Sequence, residues 1–273
     1  MDTQIRRVEP MSPVRVEQPW EQEAGTLRIV SWNLCMGGGN RIVGIVAALV
    51  AMNADVALLC EVNRARHGEL ARALAGAGLV YQADRLALVT GVDPYGQLVA
   101  SRYPLESGDQ AGPLGNPNRF IHVTMTTSAG PMDLVGIHVP VINPDASDFF
   151  DALCSVLANV GHRRGLVAGD VNADGRYPGL VTRFIPRMVK TGWVDALNEA
   201  DHGGDHDSYW GRTTAYAIDR IWLSPALAGD LTSAAVLDRV DHTQLAGPGY
   251  RIKAGALSDH RPVTVDLNQV QAI

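Results

Sequence analysis

The residues of this chain that could do chemistry recur at one kind of place. Ser31-Trp32-Asn33 closes an apolar run, Glu61 directly follows VALLC, His138 follows LVGI, and Asp170 follows GLVAG. Loops at the carboxyl ends of α/β strands collect functional groups, so this placement gathers Asn33, Glu61, His138, Asp170 and Asn172 at one sheet edge. Asp219 and the pair Asp259-His260 instead precede apolar runs, IWLS and VTVDL. If those two strands run antiparallel to the others, their first residues reach the same edge. So many carboxylates in one place repel one another unless a cation sits among them. Carboxylate and amide oxygens, with no Cys cluster and no His-rich set, suit Mg²⁺ or Mn²⁺ rather than zinc. Such a cation beside histidines and an Asp-x-Asn pair suits phosphoryl chemistry, in which a carboxylate or imidazole activates water.

The elements that must position these groups are legible as alternating apolar runs and helical patterns. Strands are expected over 27–32, 56–60, 86–90, 96–101, 120–126, 132–139, 166–169, 218–223 and 263–267. Helices are expected over 41–52, where Ile42, Ile45, Val46 and Leu49 share a face, over 64–77 and over 145–160, with Asp145 or Ser147 as N-cap. Residues 198–217 read as a polar loop. Mixed strands with interspersed helices and no Pro/Ser-rich linker indicate one α/β domain over 25–273, two sheets sandwiched by helices. Residues 1–24 read as a flexible arm or a surface-packed extension.

Bulk composition narrows the class. The chain has 273 residues, 46% hydrophobic and 19% charged, which suffices for a sizeable core. Its net charge of -6 argues against tight, non-specific binding of duplex nucleic acid, which calls for a basic face. Cys35, Cys60 and Cys154 are too few and scattered for a disulfide framework, and Cys60 reads as buried and reduced. The amino-terminal residues lack the apolar segment of a signal peptide, and the longest apolar stretch is well short of the roughly 20 residues of a membrane span. A cytoplasmic monomer without a membrane anchor is the expectation.

Several features have plain structural readings. Asp170 and Asn172 alone could form an Asx-turn, His138 alone a hydrogen-bonded core histidine, and Asp219 could pair with Arg220. Gly37-Gly38-Gly39 is a permissive turn, because no Lys-Ser/Thr follows to make a phosphate loop. Residues 201–210 carry His202, Asp205, His206 and Asp207, a second-metal candidate set against a solvated loop. Tyr209 and Trp210 there could stack on a base or pack beneath the loop.

Taken together, IVSWN (29–33), LLCEV (58–62), SRYPL (101–105), GIHVP (136–140), GDVNAD (169–174), IDRIWLS (218–224) and SDHRPV (258–263) occur in the order found in one family. The chain resembles the endonuclease/exonuclease/phosphatase superfamily, relatives of DNase I, exonuclease III and neutral sphingomyelinases, over about residues 27–267. The resemblance implies a DNase I-like four-layer α/β sandwich, two mixed sheets face to face between helices. It implies Glu61 as principal Mg²⁺ ligand, Asn33 beside it, and Asp259 as a neighbour of the metal. Asp170 and Asn172 would orient water and hold phosphoryl oxygens, His260 would contact the scissile phosphate and be oriented by Asp219, and His138 would be a second catalytic histidine. Two departures stand out: Cys60 occupies the position where the family usually has Gln, and Val62 that of the Lys of abasic-site endonucleases, which disfavours DNA repair. The expected activity is metal-dependent hydrolysis of a phosphodiester in a nucleic acid or nucleotide. Alternatives are a phosphomonoesterase or phospholipid-cleaving member, and a catalytically silent binding module.

Overall fold

The computed structural model describes residues 3–9, 25–86, 94–110, 117–141, 145–173, 178–200, 206–211, 214–247 and 255–269. In chain order the first half forms β1 (Gln4–Arg7), β2 (Thr26–Asn33), α1 (Ile42–Ala51), β3 (Val56–Asn63), α2 (His67–Gly76), β4 (Tyr81–Asp84), β5 (Tyr95–Ser101), β6 (Leu105–Ser107), β7 (Phe120–Thr127) and β8 (Gly130–His138). The second half forms α3 (Asp145–Val160), β9 (Gly165–Asp170), α4 (Pro178–Lys190), β10 (Val194–Asp195), α5 (Ala196–Ala200), β11 (Tyr209–Trp210), β12 (Ala215–Tyr216), β13 (Asp219–Leu223), α6 (Pro225–Ala228), β14 (Leu231–Val236), β15 (Arg239–Val240), β16 (Thr243–Gln244) and β17 (Val263–Asn268).

Two mixed sheets carry the molecule, ordered β1-β4-β5-β3-β2-β17-β14 and β10-β13-β9-β8-β7-β6. Strand alternation decides which side chains meet between them. Leu27 and Ile29 of β2, Val56 and Leu58 of β3, and Val263 and Val265 of β17 pack against Ile121, Leu134, Leu166, Ala168 and Ile221 of the second sheet. The opposite face of the first sheet, with Val30, Trp32, Ala57 and Leu59, is covered by Ile42, Ile45, Leu49, Leu70 and Leu74 of α1 and α2. The outer face of the second sheet, with Val135, Ile137, Val167 and Trp222, is covered by Phe149, Leu153 and Leu157 of α3 and by Phe184 and Met188 of α4. The result is the four-layer sandwich expected from the motifs.

Some boundaries differ from the sequence reading. The amino-terminal arm is not free throughout: Gln4–Arg7 adds an antiparallel edge strand to β4. The polar stretch 198–217 contains the end of α5 and the β11–β12 hairpin. The strand expected at 86–90 lies outside the described residues apart from Leu86, and β4, just before it, was not expected. Its buried Gln82 hides the strand signal; the amide Nε2 donates to Ala71 O at 2.8 Å and Leu79 O at 3.0 Å, closing the end of α2. Helix α4 was also missed, since Pro178, Gly179 and the internal Pro186 read as breakers. The three cysteines are free, as expected. Among the described residues, no helix is long and apolar enough to cross a membrane.

Candidate active site

The catalytic candidates continue the inward-facing rows of the sandwich one step past its apolar layer. On β9 the row is Leu166, Ala168, Asp170; on β8 it is Leu134, Gly136, His138; on β13, read backwards, it is Leu223, Ile221, Asp219. His138 and Asp170 are partners on parallel strands, and Asp170 and Asp219 are partners on antiparallel ones. β17 likewise runs antiparallel to β2, which returns Asp259 and His260 to the edge where β2 ends at Asn33. All eight candidates, Asn33, Glu61, His138, Asp170, Asn172, Asp219, Asp259 and His260, therefore lie at one end of the molecule.

Glu61 reaches this end by a different device. Simple alternation would put it with Ala57 and Leu59 on the helix-covered face. Instead the register of β3 against β5 shifts between Leu59 and Val62, and Glu61 adopts φ +54. A bulge of this kind re-aims one side chain. Val62 resumes the packing against α1 and α2, while the Glu61 carboxylate turns into the cleft. A left-handed non-glycine residue costs of order 1–3 kcal/mol, which is characteristic of functional positions.

A hydrogen-bond chain ties the carboxylates together. Asn33 Nδ2 donates to Glu61 Oε1 at 3.2 Å and to Asp170 Oδ2 at 3.1 Å. Met36 N donates to Glu61 Oε2 at 2.6 Å, and Cys35 N to Asn33 Oδ1 at 3.0 Å. Asn172 N donates to Asp170 Oδ1 at 2.9 Å, the Asx-turn foreseen for this pair, and Asn172 Nδ2 donates to Val139 O at 2.9 Å. Below Glu61, Cys60 Sγ donates to Ile137 O at 3.2 Å and so links the two sheets.

Opposite stands a buried carboxylate–imidazole pair. His260 Nδ1 is 2.8 Å from Asp219 Oδ2, which also accepts from Ser208 Oγ at 2.7 Å. That contact fixes the ring so that Nε2 faces Asp170 Oδ2 at 3.9 Å. Burial alone would lower the basicity of His260. The carboxylates of Asp219, Asp170 and Asp259 outweigh it and push the pKa up to about 10. Asp170 is itself raised to about 7, by burial first and then by Asp219 and Glu61. His138 shifts the other way, well below its ordinary value, through burial, Arg119 and His260. Its Nε2 is 3.9 Å from Glu61 Oε1 and 3.8 Å from Asp170 Oδ2.

Glu61, His138, Asp170, Asn172, Asp259 and His260 open on a cavity of about 270 Å³, also lined by Cys35, Met36, Tyr95, Arg119, Val141 and Tyr209. The donor set fits a hard cation. Asp219 Oδ1 and Asp259 Oδ1 are buried without a hydrogen-bond partner, a costly state for carboxylate oxygens unless a cation faces them. Asp170, Asp219 and His260 form a group whose ligand atoms lie within 4.8 Å of one another and could hold a metal. His260 Nδ1 and Asp219 Oδ2 are engaged with each other, however, and each Asp170 oxygen already accepts one hydrogen bond, so the unpartnered acceptor of this group is Asp219 Oδ1. Burial raises the Cys35 thiol to about 12 and keeps it neutral beside this oxygen set.

Arg119 was missed by sequence reasoning. Its Nη1 lies 3.3 Å from both ring nitrogens of His138, so the guanidinium sits against the ring. It immediately precedes β7, which runs antiparallel to β8 with Phe120 opposite Ile137. The rule that picked out Asp219 and Asp259 therefore applied to it as well. For Tyr209 the sequence left two alternatives, stacking at the cleft or packing beneath the loop. It does both: its ring stacks on Tyr216 at 6.3 Å and tilts over His260 at 4.8 Å. Trp210 instead takes the Arg261 guanidinium over its ring at 4.8 Å. Arg220 pairs with Asp195 rather than Asp219. Of the second-metal candidates, His202 and Asp205 lie outside the described residues, and His206 and Asp207 join no potential ligand cluster among the described ones.

Comparison with known proteins bears on the family and the fold. The model of the Endonuclease/Exonuclease/phosphatase family matches residues 30–260. No curated protein sequence matches the chain. Among solved structures, an endonuclease/exonuclease/phosphatase from Beutenbergia cavernae is similar at 20% identity and TM-score 0.67, covering 89% of this chain and 71% of that one. The 3'-5' exonuclease NExo from Neisseria meningitidis is similar at 19% identity and TM-score 0.66, covering 89% and 100%. The AP endonuclease LMAP from Leishmania major is similar at 14% identity and TM-score 0.69, covering 96% and 93%.

Proposed function

Because the chain belongs to the endonuclease/exonuclease/phosphatase family, we propose that it is a divalent-metal-dependent phosphoesterase that hydrolyses a phosphodiester in a nucleic acid or nucleotide. The observation that carries the reading is the buried Asp219–His260 pair, whose free imidazole nitrogen faces Asp170 in the cleft that also receives Glu61.

Glu61, with Asn33 and Asp259 beside it, would hold Mg²⁺ or Mn²⁺, which when bound would supply Lewis-acid neutralisation of phosphoryl oxygens. The protein's own groups do the rest. His260, kept protonated by Asp219, presents Nε2–H to the phosphoryl oxygens, where charge grows in the transition state. Asp170, with a proton affinity near neutrality and a carboxylate oriented by Asn33 and Asn172, accepts the proton of the attacking water. Asn172 stands beside it to hold a phosphoryl oxygen. His138 is neutral and buried beside the Arg119 cation, so its ring can hydrogen-bond an oxygen of the substrate without adding charge at rest.

A second reading, a phosphomonoesterase on a small substrate, is favoured by the cavity's modest size and the chain's net charge of -6. The test is to supply plasmid DNA, single-stranded DNA, RNA and a chromogenic diester with Mg²⁺, Mn²⁺ or a chelator, and to follow free phosphate separately. Metal-dependent diester cleavage that Glu61→Ala abolishes is expected. Phosphate release without diester cleavage would select the second reading. No metal-dependent turnover on any substrate would end both, and absence of calorimetric Mg²⁺ binding would point to a silent module.

A further inference from the structure

The segment following β2 has an uncommon backbone. Cys35, Met36, Gly37, Gly38 and Gly39 all have positive φ, at 47°, 56°, 79°, 73° and 50°. Left-handed conformation is strained for the first two, which carry side chains. Gly37 is obligatory on a second ground, since a Cβ there would lie 2.3 Å from Asn63 Cβ. The N–H groups of Cys35 and Met36 and the C=O groups of Leu34 and Cys35 are taken up by different partners.

The N–H groups face the cleft residues: Met36 N donates to the Glu61 carboxylate at Oε2 and Cys35 N to the Asn33 amide oxygen Oδ1. The C=O groups face Arg41. Its Nη2 donates to Cys35 O at 2.6 Å and to Leu34 O at 3.3 Å. Its Nη1 donates to Leu257 O, directly before Ser258-Asp259-His260. That loop meets β2 again where Ser258 Oγ donates to Asn33 O at 2.7 Å. One half-buried guanidinium thus bridges the turn that grips Glu61 and the loop that carries Asp259 and His260.

We propose that Arg41 is a positioning residue of the cation site, a strut that holds the left-handed 35–39 turn against the 257–260 loop and so sets where Glu61 and Asp259 stand. The planar fork is what the place requires: two donor nitrogens serve carbonyls on two segments at once, which an ammonium on a flexible stem does less well. Its charge also faces the Asp259 and Glu61 carboxylates from behind the turn, where it offsets their mutual repulsion without occupying the cleft.

The metal readout rests on the function proposed above, so the experiment includes one that does not. Cys35 is buried under the turn at 4% exposure, and Cys60 is buried inside the sheet at 1%. In metal-free protein, alkylation of each cysteine by iodoacetamide is followed by mass spectrometry. Arg41→Met is expected to speed Cys35 labelling at least tenfold and to leave Cys60 unlabelled. Arg41→Lys should fall between it and the parent, and serves alone if Arg41→Met does not fold. Mn²⁺ binding, read by its electron paramagnetic resonance signal, is expected to weaken at least tenfold in Arg41→Met. Unchanged Cys35 labelling overturns the strut whatever the metal result. Faster labelling with unchanged Mn²⁺ affinity overturns its coupling to the cation site. Faster labelling in a protein whose parent binds no Mn²⁺ upholds the strut and counts against the function reading alone.

Discussion

Asp170 and Asp219 stand opposite each other in register on β9 and β13, both buried, and share His260 between them. Two adjacent buried carboxylates cannot both be ionised cheaply, and the imidazolium lowers that cost. The pairing also divides their roles. Asp219 bonds to the ring at 2.8 Å, while Asp170 stays 3.9 Å away, free to work on water.

Asp219→Asn tests that division. The variant keeps the shape but removes the charge that holds His260 protonated. Turnover should fall about 100-fold or more, the scale of a lost acid–base partner, with KM nearly unchanged. Steady-state kinetics on a diester substrate decide it; a rise in KM with normal kcat would assign Asp219 to substrate binding.

Arg119 and His138 form the second testable pair. Removing the cation in Arg119→Leu takes away one of the two charges that hold the His138 pKa down. The pKa of His138, followed by NMR titration of the ring nitrogens, should rise, and the acid limb of the pH–rate profile should move with it. An unmoved His138 would show that burial and His260, not Arg119, set its protonation.

How far the site was legible depended on whether it followed alternation. His138, Asp170 and Asp219 lie one step beyond apolar rows of period two, so the sequence displays them directly. Asp259 and His260 required only that β17 be antiparallel to β2. Glu61 occupies the wrong face by period and was found only from its place directly after the VALLC run; the bulge that corrects its face leaves no composition signal. Arg41 and Ser208 were invisible because they act on backbone carbonyls or on Asp219 from residues distant in the chain. In the fold, β14 escaped notice because LTSAAV is small and polar at a sheet edge, and β4 because Gln82 is spent on capping α2.

Gly169 shows how tightly the parallel β8–β9 pair fixes Asp170. Its φ is +146, and a Cβ there would lie 1.8 Å from Ile137 O, a backbone atom that cannot turn aside. Gly169→Ala should therefore cost roughly 2–5 kcal/mol, combining backbone strain with overpacking. A shift in the urea midpoint at constant slope measures it. A midpoint within error of the parent would mean that β8 and β9 separate more easily than their register implies.

Protons and the cation should compete for the same carboxylates. In the metal-free protein Asp170 binds its proton more tightly folded, at about 7, than unfolded, near 4. Its contribution to stability is therefore full below about pH 4 and lost as pH rises through 7. The raised His260 adds a contribution of the same sign, full below about 6.5 and lost through about 10. The metal-free fold should thus lose the Asp170 contribution from about pH 4 through 7 and the His260 contribution from about 6.5 through 10, while a divalent cation gains ionised carboxylates to bind. The rise in melting temperature on adding saturating Mn²⁺ is expected to be larger at the alkaline end, and Asp170→Asn should flatten that dependence. Equal shifts at both ends in the parent protein would mean that Asp170 does not face the bound ion.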